Sequence, residues 1–204
     1  MATLITDPQL EQRVHRERRA SGVDRYDEVW DGVYLMTPMP NDQHQEIVSR
    51  LVSILEDLIG WPGAGKVRPG VNLSDRAEGW DENYRVPDVA VFLNDTAAHN
   101  HESHWQGAAD FLIEVVSPND RAREKIAFYS QLGVRELLVI DRGPWRVELF
   151  RHTDDGLTSV AVSEVDDKKQ IVCETVPISL RLVSGDDRPH IEVVASVGER
   201  TWRV

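Results

Sequence analysis

Asp110–Asp120, DFLIEVVSPND, is the stretch from which the fold is read. Phe111, Leu112, Ile113, Val115 and Val116 make a short, β-branched-rich apolar run of the kind that fills a strand covered on both faces. Glu114 interrupts it. An ionised carboxylate in such a strand is costly unless a cation, a metal or strong donors lie beside it. The run ends on helix-start signals: Ser117 as N-cap, Pro118 at the first helical position and Asp120 at the capping-box acid position. The spacing predicts a helix over Pro118–Leu132, with Ala122, Lys125, Ile126 and Tyr129 along one face. Lys125 is then a lone lysine on a mostly apolar face, just downstream of a buried glutamate.

The 204 residues suit one domain with one sizeable core, here divided into a helical extension (1–22), a core (23–183) and a turn-rich tail (184–204). Hydrophobic residues make up 41% and charged residues 28%, ordinary values for a globular chain. No apolar run approaches the roughly 18 residues needed to span a bilayer, so no membrane partner is expected. MATLITDPQLEQRVHRERRA has no apolar signal region, and the single Cys173 can form no internal disulfide. The expected compartment is the cytoplasm. A net charge of −12 counts against tight, non-specific binding to nucleic acid, but not against contact through a local patch.

Taken in order, Pro8–Ala20 reads as a charged helix with Arg13, Arg16, Arg18 and Arg19, a solvated face or a nucleic-acid contact. Asp31-Gly32 is the turn of a hairpin between Tyr26–Trp30 and Val33–Met36. Asn41 or Asp42 caps a helix to about Ile59, with an apolar stripe of Ile47, Leu51, Ile54, Leu55 and Leu58. His44 and Glu46 lie near its start, where the helix dipole alone stabilises a carboxylate. Lys66–Leu73 is an expected strand. Val86–Leu93, VPDVAVFL, is a second buried strand, with Pro87 at its start and Asp88 on the face of Ala90 and Phe92. The loop 94–109 holds His99, His101 and His104, either a solvated loop or a metal-binding trio. Gly133 ends the second helix, Glu136–Asp141 is a third buried strand, and Trp145–Arg151 pairs back onto it. Strands follow at Leu157–Val165, Gln170–Thr175 and Ile178–Val183, with a short one near Ile191–Ala195.

Asp88 and Glu114 each sit on a buried strand, and Lys125 follows on the next helix. Carboxylates facing one side of adjacent strands can share a hard divalent cation such as Mg²⁺, which favours oxygen ligands and keeps waters. A nearby lysine can orient or deprotonate a nucleophilic water and offset charge developing on a phosphate. The same three residues also fit a structural Glu114–Lys125 ion pair, and spacing leaves both readings open.

Pro87-Asp88 followed by Glu114-Val115-Val116 resembles the metal-binding half of the PD-(D/E)XK nuclease superfamily. DEVWDGVYLMTP, VPDVAVF, DFLIEVVSPNDR and EKIAFYSQLGVRELLVID are similar to the Uma2 family of restriction endonucleases. The resemblance spans roughly Tyr26 to Val183. It implies an α/β (α+β) fold: a restriction-endonuclease-like core with a mixed central β-sheet flanked by helices and added β-hairpins. It also implies Asp88 and Glu114 as metal ligands, the main-chain carbonyl of Val115 as a third, and Lys125 as the catalytic lysine. Mg²⁺ is the implied cofactor, with Mn²⁺ able to substitute, and DNA the implied substrate. His44 and Glu46 match the position of an auxiliary site residue, and Tyr129 a packing or supporting one. Two departures stand out. The superfamily's usual lysine position is Val116 here, while Lys125 keeps a Lys-x-x-x-Tyr pattern with Tyr129. The segment between Glu114 and Lys125 is about three residues shorter, close to the 3.6 residues of a helical turn.

Three functions compete: a metal-dependent endonuclease, a non-catalytic binding module on the same scaffold, and a metal-dependent hydrolase of a small phosphodiester. Cutting both strands of a duplex takes two sites, so a two-fold dimer is expected. Six tryptophans, several in expected loops, suit an interface or packing onto the domain's own core.

Overall fold

Val89–Leu93, Phe111–Val115 and Glu136–Arg142, the three apolar runs of the sequence, lie side by side in the middle of one sheet. The computed structural model describes residues 8–117 and 121–204. Helix α1 (Pro8–Ser21) leads into the hairpin β1 (Glu28–Trp30) and β2 (Val33–Leu35), and α2 (Asp42–Leu55) follows. Then come β3 (Gly65–Pro69), β4 (Leu73–Ser74), β5 (Tyr84–Arg85), β6 (Val89–Leu93), β7 (His99–Asn100), β8 (Trp105–Gln106) and β9 (Phe111–Val115). Helix α3 (Ile126–Leu132) connects to β10 (Glu136–Arg142), β11 (Trp145–Thr153) and β12 (Gly156–Ser163). The chain closes with β13 (Ile171–Val172), β14 (Ile178–Val183), β15 (His190–Ala195) and β16 (Thr201–Arg203).

The central sheet runs β12-β11-β10-β9-β6-β3. It is mixed, with β9 and β10 parallel and the other pairs antiparallel. Alternation along each strand gives it two apolar faces. One face, with Val89, Val91, Phe111 and Ile113, packs under α2 and the four-stranded sheet β13-β14-β15-β16. The other, with Ala90, Phe92, Leu112 and Leu137, packs under α3 and strands β4 and β8. Covering on both sides is why these strands read as near-continuous apolar runs. Ile191, Val193 and Val204 sit in the first of these cores, so the expected tail closes the fold with two strands.

The local starts and stops follow their sequence signals, with informative shifts. Asn41 caps α2 by accepting from the His44 N–H at 3.0 Å, but the α-helix stops at Leu55 and a π-helical turn, Glu56–Gly60, completes the expected span. Gly133 ends α3 at φ 88°, a left-handed conformation that glycine adopts without a Cβ penalty. Before it, the chain forms a 3₁₀ turn over Ala122–Lys125, so among the described residues the α-helical part of the expected Pro118–Leu132 helix is Ile126–Leu132. The Pro118 and Asp120 start signals lie outside the described residues. Regular pairing of β6 begins at Val89 and not at Val86. Pro87 has no N–H to give a ladder, and the Asp88 side chain takes the Val115 N–H at 2.7 Å.

Most tryptophans pack onto the protein itself. Trp105 stacks on Phe92 with ring centroids 3.6 Å apart, and Trp145 and Trp202 lie against the core. Trp61 is 75% exposed.

Asp27 fixes the wall that later bounds the site. Its buried carboxylate accepts from Arg18 Nε at 2.6 Å, Arg18 Nη2 at 2.7 Å and the Thr37 N–H at 2.7 Å, and from the Tyr34 hydroxyl. It thereby clips α1 to the segment after β2. Arg18, one of the four arginines open to a nucleic-acid reading, is used here. Asp27→Ala leaves these donors without an acceptor and is expected to cost about 2–3 kcal/mol in urea denaturation, with an unchanged m value.

Candidate active site

Each side chain of the site is delivered by a different element. Val89 pairs with Ile113 in the antiparallel β6–β9 ladder. Carried one step further, that register sets Asp88 opposite Glu114, and directly opposed residues point to the same face. The Val116 N–H donates to the Ile140 carbonyl on the β10 side. Alternation therefore turns the N–H and carbonyl of Val115 to the β6 side, beside Asp88.

Lys125, in the last position of the 3₁₀ turn, projects into the space over these acids. Its Nζ lies 3.2 Å from both Glu114 oxygens and 3.4 Å from the Val86 carbonyl. A third acid completes its coordination: Glu28 Oε1, from β1, is 2.8 Å away. Glu28 is itself held at both oxygens, by the Val86 N–H at 2.7 Å and Trp30 Nε1 at 2.6 Å. The Tyr129 hydroxyl, one turn along from Lys125, donates to Glu114 Oε1 at 2.6 Å. His44, buried at the start of α2, brings Nε2 to 3.2 Å from Asp88 Oδ1. Its Nδ1 is buried with no hydrogen-bond partner among the described residues.

Sequence reading and structure part at Glu46. The side chains of His44 and Glu46 are two positions apart on α2 and project to well-separated sides. His44 reaches the acids. Glu46 is instead paired with Arg188 and Arg50, each at 2.9 Å, and does not line the cleft. The auxiliary position expected at Glu46 is corrected on that ground. The His99, His101 and His104 loop is a short hairpin in which His101 stacks on His104 and His104 on Trp80, each pair 4.8 Å apart. Among the described residues no group of three or more His, Cys, Asp and Glu side chains is arranged to hold a metal ion, so this trio makes none.

Glu28 was missed. Its strand reads as an ordinary hairpin arm, and only the packing of that hairpin against β5 brings residues 28 and 86 together. The acid within the otherwise apolar EVW of β1 was the available signal, parallel to Glu114 in β9.

Charge is unbalanced here. Glu28 (4% exposed), Glu114 (2%) and Asp88 face one ammonium, Lys125 (8%). Burial pushes the Glu114 carboxyl up to about 8, Lys125 counteracts it, and the Asp88 and Glu28 charges add to the rise. Burial acts to lower the Lys125 ammonium, but Glu114 and Glu28 outweigh it and hold it above its ordinary value. Two acids opposed across a ladder, crowded enough that Asp88 and Glu28 add to the rise of the Glu114 carboxyl, offer the oxygen-donor chemistry of a hard divalent cation, whose charge favours their ionised form. Mg²⁺ is typically bound by one or two carboxylates and completes its shell with water and substrate oxygens, so the Asp88/Glu114 pair fits it without a third side chain.

The acids form the floor of a cleft of about 330 Å³. The segment 35–40 after β2 lines it, as do Trp30 and Arg121. The Arg121 guanidinium lies 4.5 Å over the Trp30 ring, and that of Arg85 also lies 4.5 Å from it.

Comparisons with known proteins agree with this architecture. Residues 20–183 match the family described as "Uma2: Putative restriction endonuclease". A crystal structure titled as a "putative nuclease belonging to DUF820", from Anabaena variabilis, superposes with a TM-score of 0.59 at 20% identity. It covers 74% of this chain and 83% of its own. At that identity the likeness speaks for the fold. No curated protein matches the chain.

Removing the Tyr129 hydroxyl tests how the acid is held. Tyr129→Phe leaves the ring packing in place and takes one donor from a buried carboxylate. The expected cost is about 1–2 kcal/mol by urea denaturation. No loss would mean that Lys125 alone satisfies Glu114.

Proposed function

The chain belongs to the family described as "Uma2: Putative restriction endonuclease", and on that premise we propose that it hydrolyses DNA phosphodiester bonds with a divalent cation held by Asp88 and Glu114. The observation that carries this reading is the opposition of those acids across the β6–β9 ladder, at the floor of a cleft, with three carboxylates set against one lysine. Asp88, Glu114 and the Val115 carbonyl are the ligands, and Mg²⁺ or Mn²⁺ the cofactor. Bound there, the cation supplies Lewis-acid polarisation of a phosphate oxygen and lowers the pKa of a water.

The chain's own residues do the rest. Lys125, fixed between Glu28 and Glu114, faces the position a phosphate must take and offsets the negative charge that develops on it. Glu28 and Tyr129 act through Lys125 and Glu114, holding them in position. His44 fixes Asp88, whose other oxygen is tied to the Val115 N–H. In the reaction, a water oxygen attacks phosphorus, the bond from phosphorus to one sugar oxygen breaks, and the proton lost by the water ends on the leaving alcohol. One cleft serves one strand, so a double-strand cut calls for the symmetric dimer expected from the sequence.

A non-catalytic scaffold is the second reading, favoured by the complete engagement of Lys125 in ion pairs and by the net charge of −12. Titration calorimetry beside a nuclease assay decides between them. Mg²⁺ and Mn²⁺ are expected to bind wild type and to lose their heat in Asp88→Ala. At a hundred times its dissociation constant the cation should add about 2.7 kcal/mol of stability. Lys125→Met is expected to keep cation binding while hydrolysis falls by roughly 10²–10³, the scale of removing one group that stabilises developing charge. If Lys125→Met instead loses fold and cation binding together, the lysine is a structural partner and the hydrolytic reading falls.

A further inference from the structure

Half of the cleft has no task in hydrolysing a duplex. Glu28, Glu114 and Lys125 are almost fully buried at its floor, with Asp88 partly exposed beside them. Above them, Tyr26, Leu35, Met36 and Met39 present apolar surface to the same space, and Met39 is 67% exposed. A duplex offers such a wall only phosphates and sugars, its bases being stacked inside. An unpaired nucleotide offers an apolar base face directly attached to the phosphate.

The charges point the same way. Double-stranded DNA carries one charge per about 1.7 Å of axis, against one per about 3.4 Å for each strand. Against that the cleft sets two cationic side chains, Lys125 and Arg121. Arg121 is placed by its stacking on Trp30 and by its pairing with Glu124. A cleft of about 330 Å³ lies at the small end of ligand pockets, roughly 300–1,000 Å³, and suits a nucleotide.

We propose that the cleft is a subsite for an unpaired DNA strand: one base lies against Met36 and Met39 while its phosphate is directed by Arg121 to the acid floor. This rests on the hydrolytic reading above and narrows its substrate to single-stranded, frayed or bulged DNA. The base is gripped by shape and apolar contact, so the subsite discriminates strand state and not sequence.

Two readouts on the full-length protein separate this inference from the hydrolytic one. Fluorescence anisotropy without divalent cation compares a labelled single-stranded oligonucleotide with the same sequence as a blunt duplex. Single-strand binding is expected to be tighter by at least about ten-fold. Met39→Ala is expected to weaken it by roughly five- to ten-fold, the scale of losing one methionine's apolar burial, and Met39→Glu by more, while Met39→Ala leaves duplex binding unchanged. Met39 is exposed, so neither variant threatens the fold. Cleavage with Mg²⁺ is then measured on single strand, bulged duplex and blunt duplex. Preferential single-strand binding without cleavage upholds the subsite and overturns hydrolysis. Equal or tighter binding of blunt duplex, no binding of single strand, or indifference to both Met39 variants overturns the subsite, even if hydrolysis is found.

Discussion

The structure depends on one ammonium. Lys125 is almost fully buried, yet it sits among Glu28 from the hairpin, Glu114 from the central sheet and the main-chain carbonyl of Val86. Three elements are thereby pinned at one point. Burying any of these charges alone costs several kcal/mol, and the cost is offset only when partners and hydrogen bonds are complete. The completeness is visible: Glu28 accepts from Trp30 and Val86, Glu114 from Tyr129, and Asp88 from the Val115 N–H. Even so, like charges remain crowded there: Asp88 and Glu28 add to the rise of the Glu114 carboxyl.

The sequence shows the central frame because the frame is governed by local rules. Three apolar runs, covered on both faces, could only be inner strands, and they lie side by side. Ile178–Val183 was read with its observed limits, and the Asn41 cap and the Gly133 stop stand where their side-chain chemistry put them. Shifts occur where a tertiary partner overrides propensity. Asp88 takes a main-chain donor with its side chain, and regular pairing starts at Val89, three residues after the expected Val86. The last turn of the α2 region widens to π geometry, and the turn before α3 tightens to 3₁₀.

The site was legible in part for the same reason. Asp88, Glu114 and Lys125 stand out because each is a charge in an apolar local pattern, and His44 because of its place on the capped helix. Glu28 escaped notice because its importance comes from Val86, 58 residues away in sequence. Glu46 drew notice it does not merit because its partner Arg188 is 142 residues away and has no pattern of its own. Long-range pairing of charges is the information that periodicity cannot carry. The cleft wall is a similar case. Met36 to Pro40 reads as an irregular linker, and it becomes a wall only because Asp27 holds Thr37 in place.

Glu28, His44, Asp88 and Glu114 reach the cleft from separate stretches, so no short piece of the chain contains it. Hairpins such as β10–β11 and β14–β15 close over a few residues and can form early. The Glu28–Val86 contact must wait for a loop of 58 positions to close, with the entropy which that closure loses. A change that loosens the packing of any one of these stretches, however far from the acids, is therefore felt at the cleft.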